Sequence, residues 1–470
     1  MGRLTLQGAL RFDIAKSWFP EQNIGPDKFL PVAYSFPETK GINSYKDITP
    51  RFGLAYDVFG NGRTAVKMNL GRYLEGVGVQ LNYANTNPTL RIPTSTGPFG
   101  VPGVTRTWID ANGDLVPNCD LSNPLANGNP AAVNGGGGPD FCGQISNLRF
   151  GQPVVTGNYD ADLLSGWGVR AGDWSLGISV QQQILQRMSI EIGYYRRSFD
   201  GFTVNDNLAL TNADLTPYTV TAPSDSRLPN GGGYAIGTLY DVVPTKAGQV
   251  DNLATLADKY GKAYQYFNGF DVTVSLRQGG LTLQGGTSTG QNVADSCDVR
   301  ANLLEVNTGI GAGLVGSTVS TTSPYCHVAY GILTQLRGLG SYVIPKIGAQ
   351  VSAVFQSKPG QLLAANYAMP AAQVAQFLGR PPSGNVTNVT INLIEPGSRY
   401  GDRINQLDFR IAKRLTFGAT RSTLSADLYN VLNTNPVISY NNNFTPNGPW
   451  LQPNSILTGR LVRLSVDFTF

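Results

Sequence analysis

Arg460-Leu-Val-Arg-Leu-Ser-Val-Asp-Phe-Thr-Phe470 ends the chain, and its reading decides the fold. Val462, Leu464, Val466, Phe468 and Phe470 share one parity; Arg463, Ser465, Asp467 and Thr469 share the other. Successive side chains of a strand point to opposite faces, so one face here is wholly apolar and the other polar or charged. A C-terminal edge strand of a soluble β domain can alternate in this way. An apolar face unbroken to the terminus, backed by an Arg and an Asp, is what a transmembrane barrel strand requires, with lipid on one side and a wet lumen on the other.

Composition points the same way. Charged residues make up 14% of the 470, against ~25% in ordinary soluble domains. Mean hydropathy is near neutral at −0.12, as it must be when each outward apolar residue is offset by an inward polar one. No apolar run reaches the ~18 residues of a membrane-spanning helix. The net charge of +4 is small and scattered, which argues against nucleic acid as a partner. Directly after Met1, Arg3–Ile14 already alternates as a strand, with no charged-then-apolar leader before it. The expectation is a C-terminal portion of a longer protein, or a gene model begun at an internal Met.

Further period-2 segments come in pairs: 50–59 with 63–73, 174–183 with 189–197, 270–277 with 281–289, 329–337 with 346–355, and 404–414 with 422–431. With the opening and closing segments they make about 12 strands, each near the ~9–11 residues that a tilted membrane strand needs. Turns within pairs are short and often Gly-marked; Gly60-Asn-Gly62 reads as an Asn-Gly hairpin turn. Links between pairs are long, roughly 15–49, 74–172, 200–263, 290–327, 358–402 and 433–459. Such loops are improbable within a compact soluble domain but expected of an outer-membrane barrel, with short periplasmic turns and long extracellular loops. The fold class expected is all-β: a transmembrane antiparallel β-barrel, about 12 C-terminal strands of a larger one, over residues 1–470.

Three stretches carry a family resemblance: Asn405-Gln-Leu-Asp-Phe-Arg-Ile-Ala-Lys-Arg414, Leu424-Ser-Ala-Asp-Leu-Tyr-Asn-Val-Leu-Asn433, and the ending at Phe470. In this order they resemble the last three strands of a TonB-dependent receptor, whose penultimate strand commonly closes in an Asn-apolar-apolar-Asn run such as Asn430–Asn433. Arg51–Asp57, Phe59–Thr64 and the Cys-bearing loop are similar to large receptors of this kind with a carboxypeptidase-regulatory-like N-terminal domain. The resemblance implies a barrel of ~22 strands, an N-terminal plug, and import of scarce nutrients energised through TonB. It implies location in the Gram-negative outer membrane and contact with outer-membrane lipid. It also implies assembly by the barrel-assembly machinery, with Val462, Leu464, Val466, Phe468 and Phe470 as the C-terminal signal. The signal peptide, TonB-binding segment and plug lie outside this sequence, so the TonB complex would act through that missing region, and the ligand is an unidentified bulky molecule. Twelve strands alone would not transport, and their exposed edges would be prone to aggregate.

Four cysteines allow three pairings. Cys119 and Cys142 fall in one predicted extracellular loop and Cys297 and Cys326 in another, so two local bridges are expected, which an oxidising periplasm permits. In the first of these loops, Asp110, Asn112, Asp114 and Asp120 cluster as oxygen donors. Two readings stand: a Ca²⁺ loop, although the spacing departs from the EF-hand pattern, or a polar loop of Asx turns. A Cys/His metal site lacks the required spacing, and His327 reads as a loop residue. No nucleophile motif or phosphate loop appears. Asp408, Arg410, Arg414, Asp427, Arg463 and Asp467 read as a charged lumen wall, so enzymatic activity is not expected. Tyr194, Tyr195, Tyr264, Tyr266, Tyr330 and Tyr342 near strand ends read as a membrane-interface girdle. Two other readings remain open: a porin-like or secretion barrel without a plug, and a soluble secreted β adhesin.

Overall fold

The computed structural model describes residues 2–26, 32–76, 87, 105–146, 148, 158–308, 324–417 and 420–469. Twelve long strands form one antiparallel sheet: β1 (Leu4–Ala15), β2 (Ser44–Asp57), β3 (Thr64–Leu74), β4 (Gly172–Leu185), β5 (Met188–Asp200), β6 (Tyr264–Gln278), β7 (Leu281–Asp295), β8 (Leu333–Ile344), β9 (Ala349–Lys358), β10 (Ile404–Phe417), β11 (Thr420–Tyr429) and β12 (Leu461–Thr469). Each pairs with its neighbour in sequence, so the sheet is a simple meander with β1 and β12 at its two ends. Two short strands, Ser165–Trp167 and His327–Ala329, join its margin beside β2 and β7. No helix among the described residues is long and apolar enough to cross a membrane, which says nothing of strands.

Register carries the alternation from strand to strand. Leu6 pairs with Leu54, which pairs with Met68; Met68 pairs with Ile178, and Ile178 with Tyr194. At the far end Ile411 pairs with Ala426, and Ala426 with Leu464. A slip of one residue anywhere would turn a strand's apolar side chains onto the polar face. Instead one face stays predominantly apolar across all twelve strands, and its side chains are open: Leu10 is 72% exposed, Phe270 58% and Leu464 77%. The other face carries Arg51, Lys67, Gln181, Glu191, Arg337, Gln406, Arg410, Asp427 and Arg463.

Connections alternate strictly between short and long. Residues 58–63, 186–187, 279–280 and 345–348 make short turns along one edge, where two residues also separate β10 from β11, while at the other edge 28 or more residues separate successive strands. Gly279 (φ 57°) and Gly280 (φ 84°) form a true two-residue turn in which both positions need the left-handed region. The Asn-Gly expectation at Gly60–Gly62 is corrected. That turn is wider, with Gly60 and Gly62 at φ 70° and 71° and the Asp57 carboxylate accepting both of their amides, at 3.0 and 2.8 Å. The expected strand at 329–337 is corrected too. β8 runs on to Ile344, where Pro345 ends it, and Gly338 and Gly340 hide the alternation in between.

The long links are not bare loops. Val220, Leu239, Val374, Ile391, Leu393 and Trp450 are buried together in one apolar core. That core joins the β5–β6, β9–β10 and β11–β12 connections into a cap. Its one helix of two turns, α1 (Ala371–Leu378), buries Val374 and Leu378, four residues apart on one face. A second, smaller core of Val204, Ala257, Val299, Leu303 and Val306 ties the β5–β6 connection to the β7–β8 connection.

Candidate functional site

The polar face of the sheet and the cap along its long-loop edge carry the candidate site residues. On the polar face, charges are paired strand to strand. Asp427 on β11 is 5% exposed and sits between Arg410 of β10 at 3.6 Å and Arg463 of β12 at 3.1 Å. Arg410 also donates to Ser425 Oγ at 3.0 Å, which lies 2.9 Å from Ser465 Oγ. Farther along, Lys67 Nζ donates to Gln181 at 2.6 Å and lies 3.6 Å from Glu191, which accepts from Ser179 Oγ at 2.8 Å. Six polar side chains of the same face (Gln181, Gln183, Ser189, Ser275, Arg277 and Gln284) help line a hollow of about 960 Å³ beside the short turns. Side chains tied into such a wall can offer hydrogen bonds and charge.

In the cap, Arg227 acts as the clamp. Its guanidinium donates to both oxygens of Asp225, at 2.9 and 2.6 Å, and to the carbonyls of Gly448 and Thr445, at 2.7 and 3.1 Å. It also lies over the Phe444 and Trp450 rings, 5.6 and 5.7 Å from their centroids. Arg227 holds the Asp225 carboxyl well below the usual carboxylate range. In the smaller core, Lys259 Nζ at 2.6 Å, Thr255 Oγ1 at 2.8 Å and the Asp162 amide at 3.1 Å all donate to Asp160. Its pKa falls to about 2, through Lys259 first. Glu305 accepts from the Asn207 amide, and Tyr260 donates to the neighbouring Asp206. Burial pushes Glu305 up to about 7, and the Asp206 charge adds to this.

Both local disulfides are present, Cys119–Cys142 and Cys297–Cys326, with Cα atoms 6.1 and 4.8 Å apart. Among the four expected oxygen donors, Asp110 and Asp114 come together. The third carboxylate of their cluster is Asp140, which the first disulfide returns to this loop. Asp120 is not part of that cluster; its Oδ1 accepts from the Ser122 amide at 2.9 Å and hydroxyl at 2.6 Å. Asn112 stays in the loop, its Oδ1 accepting from the Asp114 amide at 2.9 Å. All six oxygens of the cluster already accept N–H donors: Asp110 from Gly113 and Leu115, Asp114 from Val116 and Asn112, Asp140 from Ala111, Trp108 and Asn118. The geometry therefore favours the Asx-turn reading, with Ca²⁺ left only the remaining lone pairs.

Val462, Leu464, Val466 and Phe468 all lie exposed on the apolar face; Phe470 lies outside the described residues. His327, expected in a loop, is corrected to the first residue of the short strand paired with the end of β7, where its Nδ1 meets Asp295 at 2.7 Å. The tyrosines divide. Tyr194 shares the apolar face with Phe270, ring centroids 5.0 Å apart, and Tyr342 lies on the same face near the short turns. Tyr195 has the opposite parity and belongs to the polar wall.

No protein-family model matches the chain, and no curated protein matches it. Among solved structures it is similar to the outer membrane transporter YddB from Escherichia coli, at 10% identity and a TM-score of 0.45, over 99% of this chain and 52% of that one. It is also similar to the FrpB iron transporter from Neisseria meningitidis (11%, TM-score 0.41, 99% and 43%) and to the copper transporter OprC (11%, TM-score 0.41, 100% and 46%). The chain spans about half the length of these proteins. The fold described above rests on its own strand pairing.

Proposed function

We propose that this chain is part of an outer-membrane transport barrel of the TonB-dependent receptor kind, taking up a bulky ligand across the Gram-negative outer membrane. One observation carries the reading: an apolar face kept in register over twelve strands with its side chains open. In water, such a face far exceeds the few hundred Å² of apolar patch that a monomer tolerates. In a bilayer it is the surface that lipid covers. The paired charges of the opposite face suit a wet lumen, and the loop cap suits the external mouth, where a ligand is first met. Energy would come through the TonB complex acting on the part of the protein outside this sequence, and the barrel-assembly machinery would insert the strands.

The test has two stages. Fractionation of cells making the full protein should put it in the outer membrane, released only by detergent; release by salt or buffer alone would favour the soluble adhesin. Ligand uptake should then stop when the energy-transducing complex is deleted. Uptake unaffected by that deletion would favour the porin-like or secretion barrel.

A further inference from the structure

Across β7, β8 and β9 the apolar face is not built to a uniform height. Gly285 pairs with Gly338, Gly338 with Phe355, Leu283 with Gly340, and Gly340 with Ala353. Missing side chains at this junction leave a groove of about 550 Å³, walled by Val272, Val274, Leu283, Leu336, Phe355 and Leu407. Glycine inside a strand weakens it and gives it nothing to pack, so its presence needs a reason, such as close approach of a ligand. Backbone and neighbours do not supply that reason at Gly338: a Cβ there would meet nothing within 4 Å, and its φ lies outside the left-handed region. What the glycine does is leave the groove open.

The short-turn end of the groove is marked differently. Tyr342, 40% exposed, lies on the apolar face one register row beyond Gly340. One row farther, Lys413 breaks the same face on β10, opposite Ala349, and is exposed. Lys413 is four residues beyond Phe409, the partner of Ala353 in the groove, roughly 13 Å at ~3.3 Å per residue. Along a strand tilted by ~40° that is a rise of about 10 Å, roughly two-fifths of the ~25 Å apolar band of an outer-membrane barrel. An ammonium with a tyrosine at this depth is where a long side chain snorkels to the headgroup level. We propose that the groove seats an acyl chain of a phospholipid from the leaflet on the short-turn side, with its phosphate held by Lys413. The inference rests on the membrane reading of the apolar face.

Native mass spectrometry of the full protein, purified from outer membranes in mild detergent, tests it against Gly338→Leu, which fills the groove, and Lys413→Gln, which removes the cation. Wild type should keep one phospholipid after delipidation. Gly338→Leu should lose it about tenfold, and Lys413→Gln, which lacks the partner of the phosphate, should retain it severalfold less than wild type. Equal retention by all three proteins, each from the outer membrane, would overturn the proposal and leave the membrane reading intact. A dimer mass abolished by Gly338→Leu would also overturn it, making a second copy the occupant. Wild type soluble without detergent would instead overturn the membrane reading, and the groove proposal with it.

Discussion

The sheet and the cap solve opposite problems with similar residues. Cap side chains such as Val220, Leu239, Val374 and Ile391 are wholly enclosed, the solution of a globular domain in water. The strands put Leu10, Phe270, Ile411 and Leu464 outward, at least half exposed, and bury little between them. The cap is therefore held by packing and by the Arg227 clamp. The sheet is held by its ladder of backbone hydrogen bonds and by the medium that covers its apolar face. Exposure in the structure marks a solvent-facing residue only when the solvent is known to be water.

Substitutions that act through only one of these two solutions separate the regions. Trp450→Ala should cost the cap about 3–5 kcal/mol, the usual loss for a buried Trp. Hydrogen exchange should show it as opening of 201–263, 359–403 and 430–460 with the strands still protected. Leu464→Arg should cost more than about 1 kcal/mol, and up to ~4 nearer the midplane, if lipid covers the strand, but stay within ~0.5 kcal/mol if water does; reversible unfolding in lipid vesicles reads the difference. Arg227→Ala should loosen the cap by about 1–2 kcal/mol. Bonds to charged groups are worth more than that, but the half-exposed guanidinium is screened; protease nicking near Thr445–Gly448 should accelerate.

Acidity should separate the regions as well. Glu305 has a folded pKa of about 7, above its ordinary 4.5, so the folded cap holds a proton that the opened loop gives up. Stability there should be fullest below about pH 4.5 and fall as pH rises toward 7. Asp160 has the opposite sign: its contribution is present above its ordinary 3.8 and is lost as pH falls toward 2. Hydrogen exchange of 203–207 and 252–260 between pH 4.5 and 7 should show the first effect, and Glu305→Gln should remove it.

Much of the sheet was legible in the sequence because a strand with two unlike faces writes them with a period of two. Leu4–Ala15 and Leu461–Thr469 could be read residue by residue. The reading failed where that period is hidden, as at Gly338 and Gly340 on β8. The cap core was not legible, because Val220, Ile391 and Trp450 meet from three links far apart in sequence and no local period records it. The helix at Ala371–Leu378 was missed inside the 358–402 link, although Val374 and Leu378 stand four apart as a helical face does. In the carboxylate cluster, Asp110 and Asp114 were visible by proximity. Asp140 was not among the expected donors; its place two residues before Cys142, whose expected bridge to Cys119 folds it back, is the signal that could have found it. The paired charges of Arg410, Asp427 and Arg463 were read as a wall, and the register sets them side by side.

Single cysteines placed in turn at 462 to 467 of the full protein in intact outer membranes, each carrying a fluorophore, test the central claim most directly. Lipid-soluble and water-soluble quenchers should then be compared position by position. The account predicts strict alternation: lipid quenching at 462, 464 and 466, and aqueous quenching at 463, 465 and 467. Aqueous quenching at all six positions, or protection of 462, 464 and 466 from both quenchers, would contradict it and make the face a surface or core of a soluble β protein.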